Sequence, residues 1–333
     1  MSKQLVKNAS FHVRILLVIL LAYFFAPSLL AAQKAKPTKP SYPVIYSTDL
    51  YYTIEDIDDY FDAAVLLKSP EADIKGVILD NHNYPTDGDK AMKKLMKYAG
   101  RKVPVAKGLG QFQMRSFADK AYYVDDQGGV ELILRTLRES RKKVALIAVG
   151  SLTDFAVAYL RDPKLLAQKV SAVYVAAGSV ESPTQDYNVK LDPKAFVTIM
   201  RSNLPIIWIP VDSSMWYFPA PKMLVPEKNA LAHFLLNELL YWYLRNDWRA
   251  HIFKDRYEYY NLGRWMWSTP AFVLLVHYPL ASEMFHLVPA KVVFNDEGAL
   301  KSIRLGVKDS NVSVVMNVNG AKLNNFIVSR INR

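Results

Sequence analysis

Asp49, Glu55, Asp56, Asp58, Asp59 and Asp62 crowd into one short stretch near the start of the chain. Like charges packed this closely repel unless a cation or a ligand compensates them. Carboxylate oxygens are hard ligands, suited to a hard cation. The bland alternative is a solvated acidic loop whose aspartates cap a helix. The flanking residues bear on the choice: Val44 to Thr48 is a strand-like run, and Tyr60 to Leu67 has helical character. A strand that hands carboxylates to the loop before a helix sets them at the C-terminal edge of a sheet, where open α/β proteins bind their ligands.

The elements that must hold this stretch follow in alternation. Asp73 to Leu79 reads as a second strand, and Thr86 or Asp87 can cap a helix ending near Gly100. Val103 to Ala106 is short and strand-like, and a helix from about Gly129 to Ser140 leads into the apolar run Lys143 to Val149. Continuous apolar character of that kind marks a strand buried on both faces. A helix through Leu160, a strand from Ala172 to Ala176 and a polar loop to Leu191 come next. Asp192-Pro193 is a helix start, an N-cap with proline at the first helical position. Leu204 to Val211 reads as another buried strand, Glu227 to Leu244 as a long helix, and a further helix begins near Thr269. Ala290 to Val318 reads as short antiparallel strands before a last helix near Ala321 to Ile331. The expected fold is therefore α/β, an open, mostly parallel, doubly wound sheet with flanking helices and a small antiparallel C-terminal strand element.

With 333 residues and 51% hydrophobic content, the chain can bury a full core and is too apolar to be disordered. It has no cysteine, which excludes disulfides and thiolate chemistry. Residues 1–32 read as a signal peptide: Lys3, Lys7 and Arg14 are basic, Ile15 to Phe25 is apolar but short for a membrane span, and Ala31-Ala32 offers a cleavage point. An uncleaved N-terminal anchor is the alternative. Residues 33–42 form a Lys- and Pro-rich linker, and residues 43–333 read as one domain. The expected location is periplasmic or secreted, with no membrane association once the leader is cleaved. The formal charge of +11 comes from scattered basic residues, not from one arm or motif, so it does not argue for nucleic-acid binding.

Several segments resemble, in order, the inosine-uridine type of nucleoside hydrolase. Thr48-Asp49 and Asp56-Ile57-Asp58-Asp59 match a strand ending in Asp followed by an Asp pair that starts a helix. The run from Lys102 to Gly108 is similar to the family's "PV..G" element, and Val149 to Ala156 to its "GPLTNLA" turn. Val173 to Gly178 resembles the next strand end. Asp186-Tyr-Asn188 with Asp192-Pro193 resembles its "EFN...DPEAA" segment. The resemblance implies cleavage of an N-ribosidic bond by a calcium-activated water. By it, Asp49 would ligate calcium and act as general base, Asp59 would be a second ligand, and the Thr153 carbonyl a third. Asp58 would bind a ribose hydroxyl, as would Asn83 and Asn188, with Asp186 where the family usually has Glu. Aromatic residues between Tyr241 and Trp267 would contact the base, and relatives are commonly homo-oligomers.

The chain also departs from that pattern. The acidic loop is longer, and Leu-Tyr-Tyr replaces the usual Pro-Gly after Asp49. Where the family has a late "HDP" element, with the last Asp ligand, Ser268 or Thr269 stands instead. A hydroxyl brings calcium no charge. The loop from Gly178 to Asp186 is short and lacks the family's usual sugar-binding Asn. Two function classes stay open on this reading: a hydrolase, and a family member that binds a nucleoside or sugar-like small molecule without turnover.

Overall fold

The computed structural model describes residues 41–50, 57–80, 88–109, 128–181, 186–246, 263–277 and 283–333. The signal peptide and nearly all of the linker read from the sequence lie outside them, as do Glu55, Asp56 and Asn83. The strands are β1 Tyr42–Thr48, β2 Ala72–Leu79, β3 Val105–Lys107, β4 Val144–Ala148, β5 Val170–Val175, β6 Ile206–Trp208, β7 Trp216–Phe218, β8 Arg264–Met266, β9 Phe285–Phe294, β10 Leu300–Leu305 and β11 Val312–Val318. The helices are α1 Asp58–Leu67, α2 Gly88–Ala99, α3 Gly128–Glu139, α4 Thr153–Arg161, α5 Pro163–Lys169, α6 Tyr187–Leu191, α7 Pro193–Met200, α8 Val211–Ser214, α9 Ala220–Met223, α10 Ala230–Asn246, α11 Pro270–His277 and α12 Gly320–Ile331.

Nine strands form one sheet in the order β10-β9-β11-β6-β5-β4-β1-β2-β3, parallel from β3 through β11 and antiparallel where β9 and β10 join. The expected antiparallel strands thus extend the main sheet, and β7 and β8 make a separate two-stranded ribbon. From β1 the chain winds outward to β3, then returns to β4 on the other side of β1. The order reverses there, between β1 and β4, the kind of switch point at which open α/β sheets bind ligands.

Side-chain alternation explains why both faces need cover. Val44 and Tyr46 of β1 point into one apolar core, which α1, α2, α10, α11 and α12 close. Ile45 points into the other, closed by α3, α4, α5 and α7. All of these β1 residues are at most 1% exposed, as a parallel strand covered on both faces requires.

Two expectations need correcting. Leu204 to Val211 yields only the short strand β6, because Pro205 and Pro210 bracket it and neither has an N–H for the ladder. The stretch expected to be loop up to Leu191 contains α6, whose N-cap is Asp186. Its five residues are too few to leave a periodic apolar signature.

Among the described residues no helix is long and apolar enough to cross a membrane.

A candidate active site at the sheet switch point

Asp49 directly follows β1, and Asp58 and Asp59 form the first turn of α1; their exposures are 6%, 5% and 6%. Strand end and helix start meet because the Thr48 hydroxyl donates to Asp59 Oδ1 at 2.8 Å while accepting from the Leu50 N–H at 3.1 Å. The Tyr46 phenol, fully buried just below, senses the same cluster. Burial raises its pKa well above the usual value, and Asp62, Asp59 and then Asp49 raise it further, with only the Thr48 hydroxyl opposing. Three carboxylates therefore share one buried neighbourhood under the end of β1.

The late chain segment closes that neighbourhood from the other side. The Trp267 N–H and the Ser268 hydroxyl reach Asp58 Oδ2 at 3.3 and 3.2 Å. The hydroxyls of Ser268 and Thr269 both also bond the Asp62 carboxylate, which is 1% exposed. The Ser268 hydroxyl is thus turned onto Asp58 and Asp62, and the Thr269 hydroxyl onto Asp62. Beside them the Arg264 guanidinium lies 3.7 Å from the Trp242 ring centre and 5.3 Å from that of Trp267, a cation–π stack that ties β8 to α10.

The turn after β4 supplies the opposite wall. Thr153 opens α4, and its hydroxyl donates to Asp192 Oδ2 at 2.9 Å. Asp192 Oδ1 accepts from the Ala195 N–H at 3.0 Å, so one buried carboxylate caps α7 and holds α4. Asp192→Ala should lower stability by about 2 kcal/mol, since a cap and the partner of a buried hydroxyl go together; urea unfolding checks this.

Asn188 sits in α6, and its amide nitrogen donates to the carbonyls of Val149 and Ala176, both at 3.0 Å. With its donors spent on the ends of β4 and β5, it can offer a ligand only its carbonyl oxygen. Asp186 accepts from the Gly178 N–H at 3.0 Å. Burial raises the Asp186 carboxyl pKa, opposed by the N–H groups of Gly178, Tyr187, Val189 and Asn188.

Two acidic residues at this edge had no role in the sequence reading. Asp80, just past β2, accepts from the Ser151 N–H at 2.7 Å and the Ser47 hydroxyl at 3.4 Å. Asp212 in α8 accepts from the Ser179 hydroxyl at 2.5 Å and the Val180 and Glu181 N–H groups at 3.1 and 2.7 Å, fixing the loop after β5. The available signal was position: like Asp49, each comes shortly after a buried strand.

The donor set around Asp49 suits a hard cation in kind, with buried carboxylate oxygens and a buried Tyr46 hydroxyl that makes no well-aligned hydrogen bond among the described residues. It is thin in number. Among the described residues no group of three or more His, Cys, Asp or Glu side chains is placed to hold a metal ion. Calcium takes six to eight oxygens, so water, backbone carbonyl and ligand oxygens would have to supply the remainder.

Comparison with known proteins bears on the family and the fold. The family described as "Inosine-uridine preferring nucleoside hydrolase" matches residues 44–325. Pyrimidine-specific ribonucleoside hydrolase RihA of Citrobacter koseri is 25% identical over 193 residues, 51% of this chain and 60% of the relative. RihA of Salmonella arizonae is 26% identical over 178 residues, 46% of this chain and 57% of the relative. The match thus spans about three fifths of these relatives' length. Among solved structures, a plant nucleoside hydrolase, PpNRh1, superposes with a TM-score of 0.63 at 19% identity, covering 88% of this chain and 99% of that one. A purine-preferring ribonucleoside hydrolase from Gardnerella vaginalis gives 0.65 at 14% identity, covering 87% and 98%. At such identities the superpositions show the fold.

Proposed function

The chain belongs to the inosine-uridine preferring nucleoside hydrolase family, and from that premise we propose that it hydrolyses the N-ribosidic bond of a nucleoside, or a related glycosidic bond. One observation carries the proposal: Asp49 ends β1 where the sheet order reverses, Asp59 is tied to that strand end through Thr48, and both carboxylates, with the adjacent Asp58, are buried. Breaking the bond between the sugar and its base develops oxocarbenium character on the ribose. Asp49 takes the proton of the attacking water on its carboxylate. Asp58, held by Trp267 and Ser268, accepts a hydrogen bond from a ribose hydroxyl. Asp186, Asn188 and Asn83 complete the sugar contacts, and the wall of Trp242 and Trp267 faces the base. Asp49, Asp59 and the Thr153 carbonyl would hold calcium. When bound, the ion would polarise the water and orient two ribose hydroxyls. Export to the periplasm or beyond, from the leader-like N-terminus, belongs to the same proposal, as does a homo-oligomer.

The test is ribose release from inosine and uridine with calcium present. Absence of ribose from purine and pyrimidine nucleosides alike would sink the hydrolase reading. A second reading, ligand binding without turnover, is favoured by one observation: Ser268 and Thr269 bring hydroxyls, already bonded to Asp58 and Asp62, where a carboxylate would add charge. It predicts saturable nucleoside binding with no ribose. Calorimetry should show calcium binding on the order of micromolar, lost in an Asp49→Ala, Asp59→Ala double variant. No heat at millimolar calcium would remove the metal from the mechanism.

A further inference from the structure

The side chain of Asp80 reaches beyond its own neighbours in the sheet. It follows β2, whose partners are β1 and β3, while β4 lies on the far side of β1. Yet Asp80 Oδ2 accepts from the Ser151 N–H beyond β4 at 2.7 Å, and Oδ1 lies 3.4 Å from the Ser47 hydroxyl of β1. The carboxylate therefore spans the C-terminal end of β1, the strand that delivers Asp49. Gly150 fills the remaining space. A β-carbon there would lie 2.7 Å from Asp80 Oδ2 and 2.7 Å from the Asp49 backbone nitrogen.

We propose that Asp80 is a positioning residue for Asp49: it clamps the Gly150–Ser151 turn onto the end of β1 and so fixes the backbone from which the base projects. Thr153, two residues further on, is held in register by the same clamp. The proposal rests on the hydrolase reading above for its catalytic consequence, but not for its geometry. Charge is not what the clamp needs. It needs an acceptor for the Ser151 N–H and a partner for the Ser47 hydroxyl. An asparagine can present its carbonyl oxygen to Ser151 and its amide nitrogen to the Ser47 oxygen. An alanine can present neither.

The experiment compares the full chain with Asp80→Asn and Asp80→Ala. Asp80→Ala should lower kcat for ribose release by about 10- to 100-fold, the cost of an ångström-scale misplacement, with KM changed by less than about threefold. Asp80→Asn should recover kcat to within about threefold of the parent chain and leave the acid limb of its pH profile in place. Hydrogen exchange at the Ser151 amide is the readout independent of turnover. Protection should drop by at least about tenfold in Asp80→Ala and persist in Asp80→Asn. If the parent chain hydrolyses no nucleoside, the hydrolase reading has failed and hydrogen exchange alone decides the clamp. Unchanged Ser151 exchange in Asp80→Ala overturns the proposal. An Asp80→Asn variant as impaired as Asp80→Ala in either measurement overturns it too, since charge would then be the requirement.

Discussion

Asp49→Asn should lower kcat for ribose release by about 1,000-fold, within the range of a lost general base, while the thermal midpoint stays close to that of the parent chain. Asparagine keeps the volume and one carbonyl oxygen at a position that is 6% exposed, but it cannot take a proton from water. The neighbourhood is acidic, with Asp59 and Asp62 raising the Tyr46 pKa alongside Asp49. Removing one of these negative charges relieves repulsion and offsets part of any lost bonding. Steady-state kinetics with inosine and uridine, beside a melting curve, check both halves. A loss of less than tenfold would move the base elsewhere, and a collapse of the midpoint would make Asp49 a structural residue first.

Gly150→Ala should cost about 1 to 3 kcal/mol of stability, the range for overpacking a close contact, and about 100-fold in kcat through displacement of Asp49. The added methyl would meet the Asp49 nitrogen and Asp80 Oδ2 at 2.7 Å and the Asp49 β-carbon at 3.0 Å. Two of those atoms belong to the residue proposed as base, and the backbone nitrogen cannot swing aside as a flexible side chain would. Gly100 provides the control. Its φ of +69° strains an alanine by roughly 1 to 2 kcal/mol, but nothing lies within 4 Å of the new carbon, so kcat should not move. Equal kinetic effects from the two substitutions would show that stability loss, not displacement at the site, governs activity.

Much of the molecule was legible because it is written in short windows. The apolar runs around Ile45, Ile74 and Leu146 made strands, and Asp192 with Pro193 started a helix as its cap chemistry requires. Asp49, Asp58 and Asp59 could be singled out because they are near neighbours along the chain, and the structure buries all three. The short β6 was legible only in part, since its apolar run continues through the prolines that end it. The hydroxyls of Ser268 and Thr269 meet Asp62 from more than 200 positions away, and no local pattern announces such a pairing. Asp80 is the clearest case. From sequence it is one polar residue at a loop start, and its role exists only because β4 is laid down on the opposite side of β1 from β2. Propensity, capping and clustering act over a few residues and so can be read along the chain. What only the tertiary structure decided, the clamp over β1 and the closure of the acidic centre, depends on strand order, which non-local burial of both sheet faces determines.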